Sequence, residues 1–369
     1  MILSSARPAM ALSATVLLSA VAGIANAQTP AAAPKVAKGY SISVFARSVK
    51  GKFTKPDSIA VSTDRVYIGY GDGNDPAGRD GKATQIVEYT KTGKYVFRYN
   101  VIGHNDGLKV NPYTSKVWAL QNEDANPNLV IIDPKTRQQK VYTFAAPPPN
   151  GGGYDDIVFR SGQVFLSASN PARNPNTGPA IVQAKLVGST VVVSPLLEGN
   201  AEATDVITGA KVKLNLQDPD SMTLDPSGNV VLTSQADSEL IVVRKPATKV
   251  QSVLQVPLSS PYGVPQVDDT SFTPSTDGFL LVSDTAADTV YAIHRVAFTP
   301  GVAYSAAVAG SGNTSVGFVG RLDIEFGLLT PVVTGLNSPH GMGFVQTVDD
   351  DNSAYEKLRD ECLTLFPNQ

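Results

Sequence analysis

Cysteine, histidine and basic runs are all scarce in this chain, and each shortage removes a class of chemistry. Cys362 is the only cysteine among 369 residues, so no intrachain disulfide and no thiolate zinc cluster can be built. The formal charge of −3 comes without a basic block or basic-aromatic interleaving, so no nucleic-acid groove is expected. There is no Gly-x-Ser-x-Gly elbow, no phosphate-binding glycine loop and no His-Glu-x-x-His helix. Serine hydrolase, nucleotide-binding and zinc-protease readings are therefore unsupported. Only His104, His294 and His340 can titrate as imidazoles.

Long apolar runs are also lacking. The one candidate, Ala9 to Ala22, is shorter than the roughly 20 residues that cross a bilayer. It follows Arg7 and precedes Ala25-Asn26-Ala27, the small-x-small pattern of a signal-peptidase site. Residues 1–27 are thus expected to be a signal peptide and 28–38 a flexible leader, with no transmembrane anchor after cleavage. The mature chain is expected to be periplasmic or extracellular.

What the chain does have is a repeated phrase. "KPDSIAVSTDRVYIGY" begins at Lys55, "HNDGLKVNPYTSKVWAL" at His104, "YDDIVFRSGQVFLSAS" at Tyr154, "DPDSMTLDPSGNVVLT" at Asp218 and "DDTSFTPSTDGFLLVSD" at Asp268. A shorter echo, "SPHGMGFVQ", begins at Ser338. The steps from Asp57 to Asp106, Asp106 to Asp155 and Asp220 to Asp269 are each 49 residues, and those from Asp156 to Asp220 (64) and Asp269 to His340 (71) carry insertions. A period near 50 with short β-branched runs such as "RVYIGY" and "NVVLTS", separated by Gly, Pro, Asn and Asp, marks antiparallel strands and tight turns. Four strands per unit, repeated, predict an all-β fold, a β-propeller. Six blades fit the six phrases, with five or seven left open by the insertions. Residues 39–350 form the propeller in this reading. "YSISVFAR" (40–47) supplies an outer strand that closes the ring, and 301–335 complete blades five and six. Residues 351–369 place Tyr355, Leu358, Cys362 and Leu365 at helical spacing, which predicts a short C-terminal helix.

Loop lengths are lopsided. Tight turns such as "STDR", "RSGQ" and "PSTDG" share one face, while "GYGDGNDPAGRDGKAT", "QNEDANPN" and "SNPARNPNTGP" share the other with the repeated aspartates. Long polar loops on a rigid frame are where binding and catalysis gather. The candidate site residues on that face are Asp57, His104, Asn105, Asp106, Asp155, Asp156, Asp220, Asp269 and His340. Each aspartate has two readings. It can accept backbone N–H groups and stitch neighbouring blades, or it can join others around a hard cation such as Ca²⁺, which takes six to eight oxygens. His294, in "TVYAIHRV", alternates onto a strand face and reads as structural.

The phrases "HNDGLKVNPYTSKVWAL" and "DPDSMTLDPSGNVVLTS" resemble the Asn-Asp-Gly and Pro-Asp-Gly segments of the SMP-30/gluconolactonase/LRE-like family. "SPHGMGF" is similar to a phrase of paraoxonase-type lactonases, and NHL-type propellers share the general repeat. The resemblance implies a divalent cation at the channel mouth and a lactone or ester substrate. It places Asp220 as a metal-binding and catalytic residue, with Asn105 on the substrate side; His104, at the same inner-strand entry, is taken as a substrate-binding candidate beside it. Asp57 stands where the family has a glutamate, and Asp155 or Asp156 where it has an Asn-Gly phrase. The expected metal set is Asp57, Asp106, Asp156 and Asp220, with Asp220, Asp269 or His340 as the proton acceptor. A non-enzymatic propeller that binds a glycan, peptide or protein is the alternative.

Overall fold

The computed structural model describes residues 33–146 and 148–347. The expected signal peptide and the expected C-terminal helix fall outside them. Two strands open the described chain, β1 (Lys35–Val36) and β2 (Tyr40–Arg47). A first four-stranded meander follows: β3 (Pro56–Val61), β4 (Arg65–Tyr70), β5 (Ala83–Thr90) and β6 (Tyr95–Ile102). The second is β7 (Asn105–Val110), β8 (Val117–Gln121), β9 (Asn128–Asp133) and β10 (Gln138–Phe144). The third is β11 (Ile157–Arg160), β12 (Gln163–Ser167), β13 (Pro179–Val187) and β14 (Thr190–Glu198), joined to the second edge to edge through a short parallel pairing of β10 with β14. A hairpin, β15 (Glu202–Asp205) and β16 (Lys211–Lys213), then extends the fourth unit, β17 (Pro219–Leu224), β18 (Val230–Ser234), β19 (Glu239–Arg244) and β20 (Ser252–Pro257).

The last two units exchange strands. The chain continues through β21 (Pro265–Phe272), β22 (Gly278–Asp284), β23 (Thr289–Arg295), β24 (Ala303–Ala309), β25 (Val316–Asp323), β26 (Leu328–Leu336) and β27 (Pro339–Gln346). β21 pairs with β24, and β24, β25 and β26 complete the fifth sheet. β22 and β23 cross instead into the sixth, which reads β27, β22, β23 and β2 from inside out. Residues 301–335 therefore serve the fifth unit alone, and "PSTDG" does not join paired strands. β2 closes the ring as the outer strand of the sixth unit. Lys35 and Val36, expected in a flexible leader, pair with β26.

Each sheet buries both faces, which explains why the inner and middle strands are apolar runs rather than alternating ones. All of Val66 to Tyr70 is buried, and so is every residue of β8 and β18. The core falls into six clusters, each shared by two neighbouring units: Tyr67 and Ile86 pack on Leu108 and Val130, Leu120 on Tyr154 and Leu166, and so round to Phe279 and Leu281 against Ile59 and Ile68. The innermost strands β3, β7, β11, β17, β21 and β27 each lie against the next around a central channel. This is a β-propeller, with six inner strands around its channel. Tight turns at one end of the channel keep that face low. In the turn 225–229, Asp225 Oδ1 accepts from Ser227 N and Asn229 N while Gly228 takes φ +74°. Among the described residues no helix is long and apolar enough to cross a membrane.

Candidate functional site: an acidic channel mouth

The repeated phrase places a β-bulge near the start of five of the six inner strands, β11 pairing without one. The ladder register slips between Pro56 and Ile59, Asn105 and Leu108, Pro219 and Met222, and Val267 and Thr270. It slips again between Val282 and Asp284, opposite Met342 and Pro339 of β27. A bulge sets two residues against one and re-aims both side chains. Here it sorts the first residues of those strands into two layers.

The outer layer faces the long-loop end. Asp57, Asp106, Asp155, Asp220, Asp268 and His340, one from each inner strand or its lead-in, line a cavity of about 290 Å³. Long loops add Glu123, Asp124 and Asp218, and His104, Ser169, Asn170, Gln217 and Gln235 complete the lining. Eight carboxylates face two imidazoles, and none of the lining side chains is apolar. His104 Nδ1 lies 3.0 Å from Glu123 Oε2, and His340 Nδ1 lies 2.8 Å from Asp268 Oδ2 and 3.5 Å from Asp57 Oδ1. Asp268 Oδ2 also accepts from Gln235 Nε2 at 2.9 Å, and His340 Nε2 sits 2.9 Å from Ser338 Oγ. Ser221 Oγ donates to Asp220 Oδ1 at 3.2 Å.

The inner layer, one residue further along, does different work. Asp156 Oδ2 accepts from Met222 N at 2.8 Å and pairs with Lys109 Nζ at 2.8 Å. Asp269 Oδ2 accepts from Met342 N at 2.6 Å. Each ties its unit to the next. Where a neighbour's backbone must come closer still, glycine stands in this layer: a Cβ on Gly107 would lie 1.8 Å from the Asp155 carbonyl oxygen, and one on Gly341 2.2 Å from that of Asp57.

Burial raises carboxylates in both layers. Burial pushes Asp106, Asp155 and Asp220 well above the usual carboxylate range, and the charges of neighbouring acids push the same way. Asp57 is raised by burial to about 6, with His340 pulling it down and Asp268 pushing it up. Burial works against protonation of His340, but the charges of Asp268 and Asp57 outweigh it and carry the imidazole to about 10. His104 is likewise raised, its burial outweighed by the Glu123 hydrogen bond and charge. In the inner layer, burial lifts Asp269 to about 7 although Lys109 lowers it.

Of the residues singled out from sequence, the fold brings Asp57, His104, Asp106, Asp155, Asp220 and His340 to the cavity and leaves three out of its lining. Asp156 and Asp269 are the stitches just described. Asn105 is fully buried behind the mouth, its Nδ2 donating to Gly107 O and Leu120 O and its Oδ1 packed on Gly69. His294 lies on the sixth unit's outer strands, 3.1 Å from Ser43 Oγ. Asp268, Glu123, Asp124 and Asp218 join the site without having been singled out. The acidic character of the loop "QNEDANPN" and the doubled aspartate at 268–269 were the available signals.

The donor set fits a hard cation in kind, being carboxylate and amide oxygen with no thiolate. Among the described residues, no group of three or more His, Cys, Asp or Glu side chains is placed to hold a metal ion. No family model and no curated protein matches the sequence. Solved structures similar to it include a protein of unknown function from Bacteroides caccae, with 7% identity over 79% of this chain and 86% of that one at a TM-score of 0.48. A streptogramin B lyase matches with 14% identity over 83% and 95% of the two chains at 0.44. A protein provisionally assigned as a gluconolactonase matches with 12% identity over 82% and 83% at 0.42. All three TM-scores lie below 0.5, and the functional reading rests on the site alone.

Proposed function

We propose that the acidic mouth binds a divalent cation, Ca²⁺ by its donor chemistry, and hydrolyses a small polar ester or lactone. The observation that carries this is the convergence of eight carboxylates on one cavity with no lysine or arginine among its lining. Like charges held that close must be protonated or neutralised by a cation. Asp57, Asp106, Asp155 and Asp220 are the holders in this reading, with Asp155 in the place expected of Asp156, which Lys109 already occupies. When bound, the cation would polarise the substrate carbonyl and steady the charge that develops on its oxygen.

The chain's own groups divide the proton work. Asp220, its basicity raised by burial, takes the proton of the attacking water as the water oxygen bonds to the carbonyl carbon. His340 is protonated near neutral pH and oriented by Asp268 and Ser338, so it acts as the acid that protonates the departing alkoxide oxygen when the ester C–O bond breaks. This inverts the base role considered for His340 from sequence. The expected localisation, periplasm or exterior, suits a site that draws Ca²⁺ from its surroundings.

Metal analysis of the full chain, joined to hydrolysis of a lactone and ester panel, tests the proposal. Asp220→Asn is expected to remove turnover while the protein stays folded. Full activity after exhaustive chelation, or in Asp220→Asn, would overturn it. The absence of any apolar lining favours a second reading, a propeller that binds a cation or polar ligand without chemistry. In that case the ion binds and no substrate in the panel is consumed.

A further inference from the structure

A second cavity, of about 650 Å³, lies at the outer rim where the sixth and first units meet. Its walls come from the outer strands β2 and β6, the end of β5 and the turn between β2 and β3. Phe45, Phe53, Tyr89 and Tyr95 supply aromatic surface. Phe45 meets Tyr89 edge-on at 6.0 Å between centroids, and Tyr89 meets Tyr95 at 6.5 Å. The Tyr89 hydroxyl is held by that of Tyr70 at 2.8 Å. Gly93 keeps the hairpin tip against the Phe45 backbone, since a Cβ there would lie 2.5 Å from Phe45 O.

Three cations also line this groove, Arg47, Lys52 and Arg98, and no carboxylate does. Arg47 Nη1 donates to Thr289 Oγ1 at 3.2 Å, and Arg98 Nη1 to the Lys52 carbonyl at 3.2 Å. Among the described residues none of the three is ion-paired with an acid. Asp72, whose carboxyl feels Arg98, is taken up by Thr54 N and Oγ1. In a chain of net charge −3, a groove with three cations over aromatic walls is locally opposite in sign to the mouth. Guanidinium groups are weakly hydrated and match carboxylate, sulfonate and phosphate oxygens in pairs. The volume falls within the range of small-molecule sites.

We infer that this groove between the sixth and first units is a separate binding site for an organic anion with an aromatic or apolar body, seated on Phe45 and Tyr95 with its acid group on Arg47, Lys52 and Arg98. It is independent of the chemistry proposed for the mouth.

The test is a fluorescence titration of the full chain with anilinonaphthalene sulfonate, beside neutral phenylnaphthylamine as a control of the same shape. Lys52→Gln with Arg98→Gln alters exposed side chains and leaves the core intact. The sulfonate is expected to bind about tenfold more weakly to this variant, two exposed charge contacts being lost, while the neutral probe is unchanged. Val49→Glu, which adds a like charge to the groove, should weaken the sulfonate in the same selective way. No sulfonate binding by the unaltered chain, unchanged affinity in both variants (an adventitious surface only), or equal loss of both probes would overturn the inference.

Discussion

Lys109→Met is the sharpest test of the division into two layers, because Lys109 is the one cation set against the inner carboxylates. Its Nζ lies 2.8 Å from Asp156 Oδ2, and it lowers the titration of Asp269 as well. The Asp156 side chain is 5% exposed and that of Lys109 26%. Removing one member of a buried pair costs about 3–5 kcal/mol, and the partial exposure of Lys109 puts the expectation at about 3 kcal/mol. The loss depends on pH in a stated direction. Asp269 has a folded pKa of about 7 against an unfolded value of 3.8, so the folded state holds the extra proton, and the stability this contributes is lost as pH rises through 7. Without Lys109 that window moves upward, so the deficit should grow between pH 5 and pH 8.5. Urea unfolding of both proteins at the two pH values measures it. A deficit under about 1 kcal/mol, or one equal at both pH values, would refute the assignment of these carboxylates as inter-unit stitches.

Other consequences are more direct. Gly107→Ala forces a Cβ to 1.8 Å from a backbone oxygen of the next unit; overpacking against backbone should cost about 3 kcal/mol, read as a lowered urea midpoint. Adding Ca²⁺ to a hundred times its dissociation constant should stabilise the fold by about 2.7 kcal/mol, seen by calorimetry and diminished in Asp220→Asn. At one fixed Ca²⁺ concentration the gain should be larger at pH 8 than at pH 5, since Asp57 at about 6 and the more strongly raised acids must shed protons to ligate. His340→Gln should abolish ester turnover but leave Ca²⁺ stabilisation in place, whereas loss of both would make the histidine structural.

The sequence disclosed the ring because an aspartate before an alternating run, repeated near every 50 residues, has few architectural meanings. It disclosed the mouth in the same way, through Asp57, Asp106 and Asp220. It did not show which member of Asp155–Asp156 or Asp268–Asp269 faces the cavity. Successive strand residues point to opposite sides, and at Asp268–Asp269 a bulge decides which of the two comes forward. Equal spacing pointed to Asp269, and the slip between Val267 and Thr270 turned Asp268 outward instead. The strand exchange was equally hidden: "DDTSFTPSTDGFLLVSD" has the composition of a hairpin, and only the partners available in three dimensions send β22 to β27. Glu123 sits in a loop with no period to mark it.

The exchange and the two layers bear on one another. A ring closed by a single outer strand can open at that seam, yet here β22 and β23 of the sixth unit lie in the chain between β21 and β24 of the fifth. Separating the fifth unit from the sixth would require strands to unthread from both sheets. Asp269, on β21, reaches Met342 on β27 across that same junction, and Asp268 beside it orients His340. The geometry of the proposed proton donor is thus fixed at the junction that the strand exchange fastens, where a shift of the sixth unit would disturb the Asp268–His340 pair and the Asp269 stitch together. Asp269→Asn, which keeps an acceptor for Met342 N, should therefore preserve the position of His340, while Asp269→Ala should displace it and reduce turnover in step with stability.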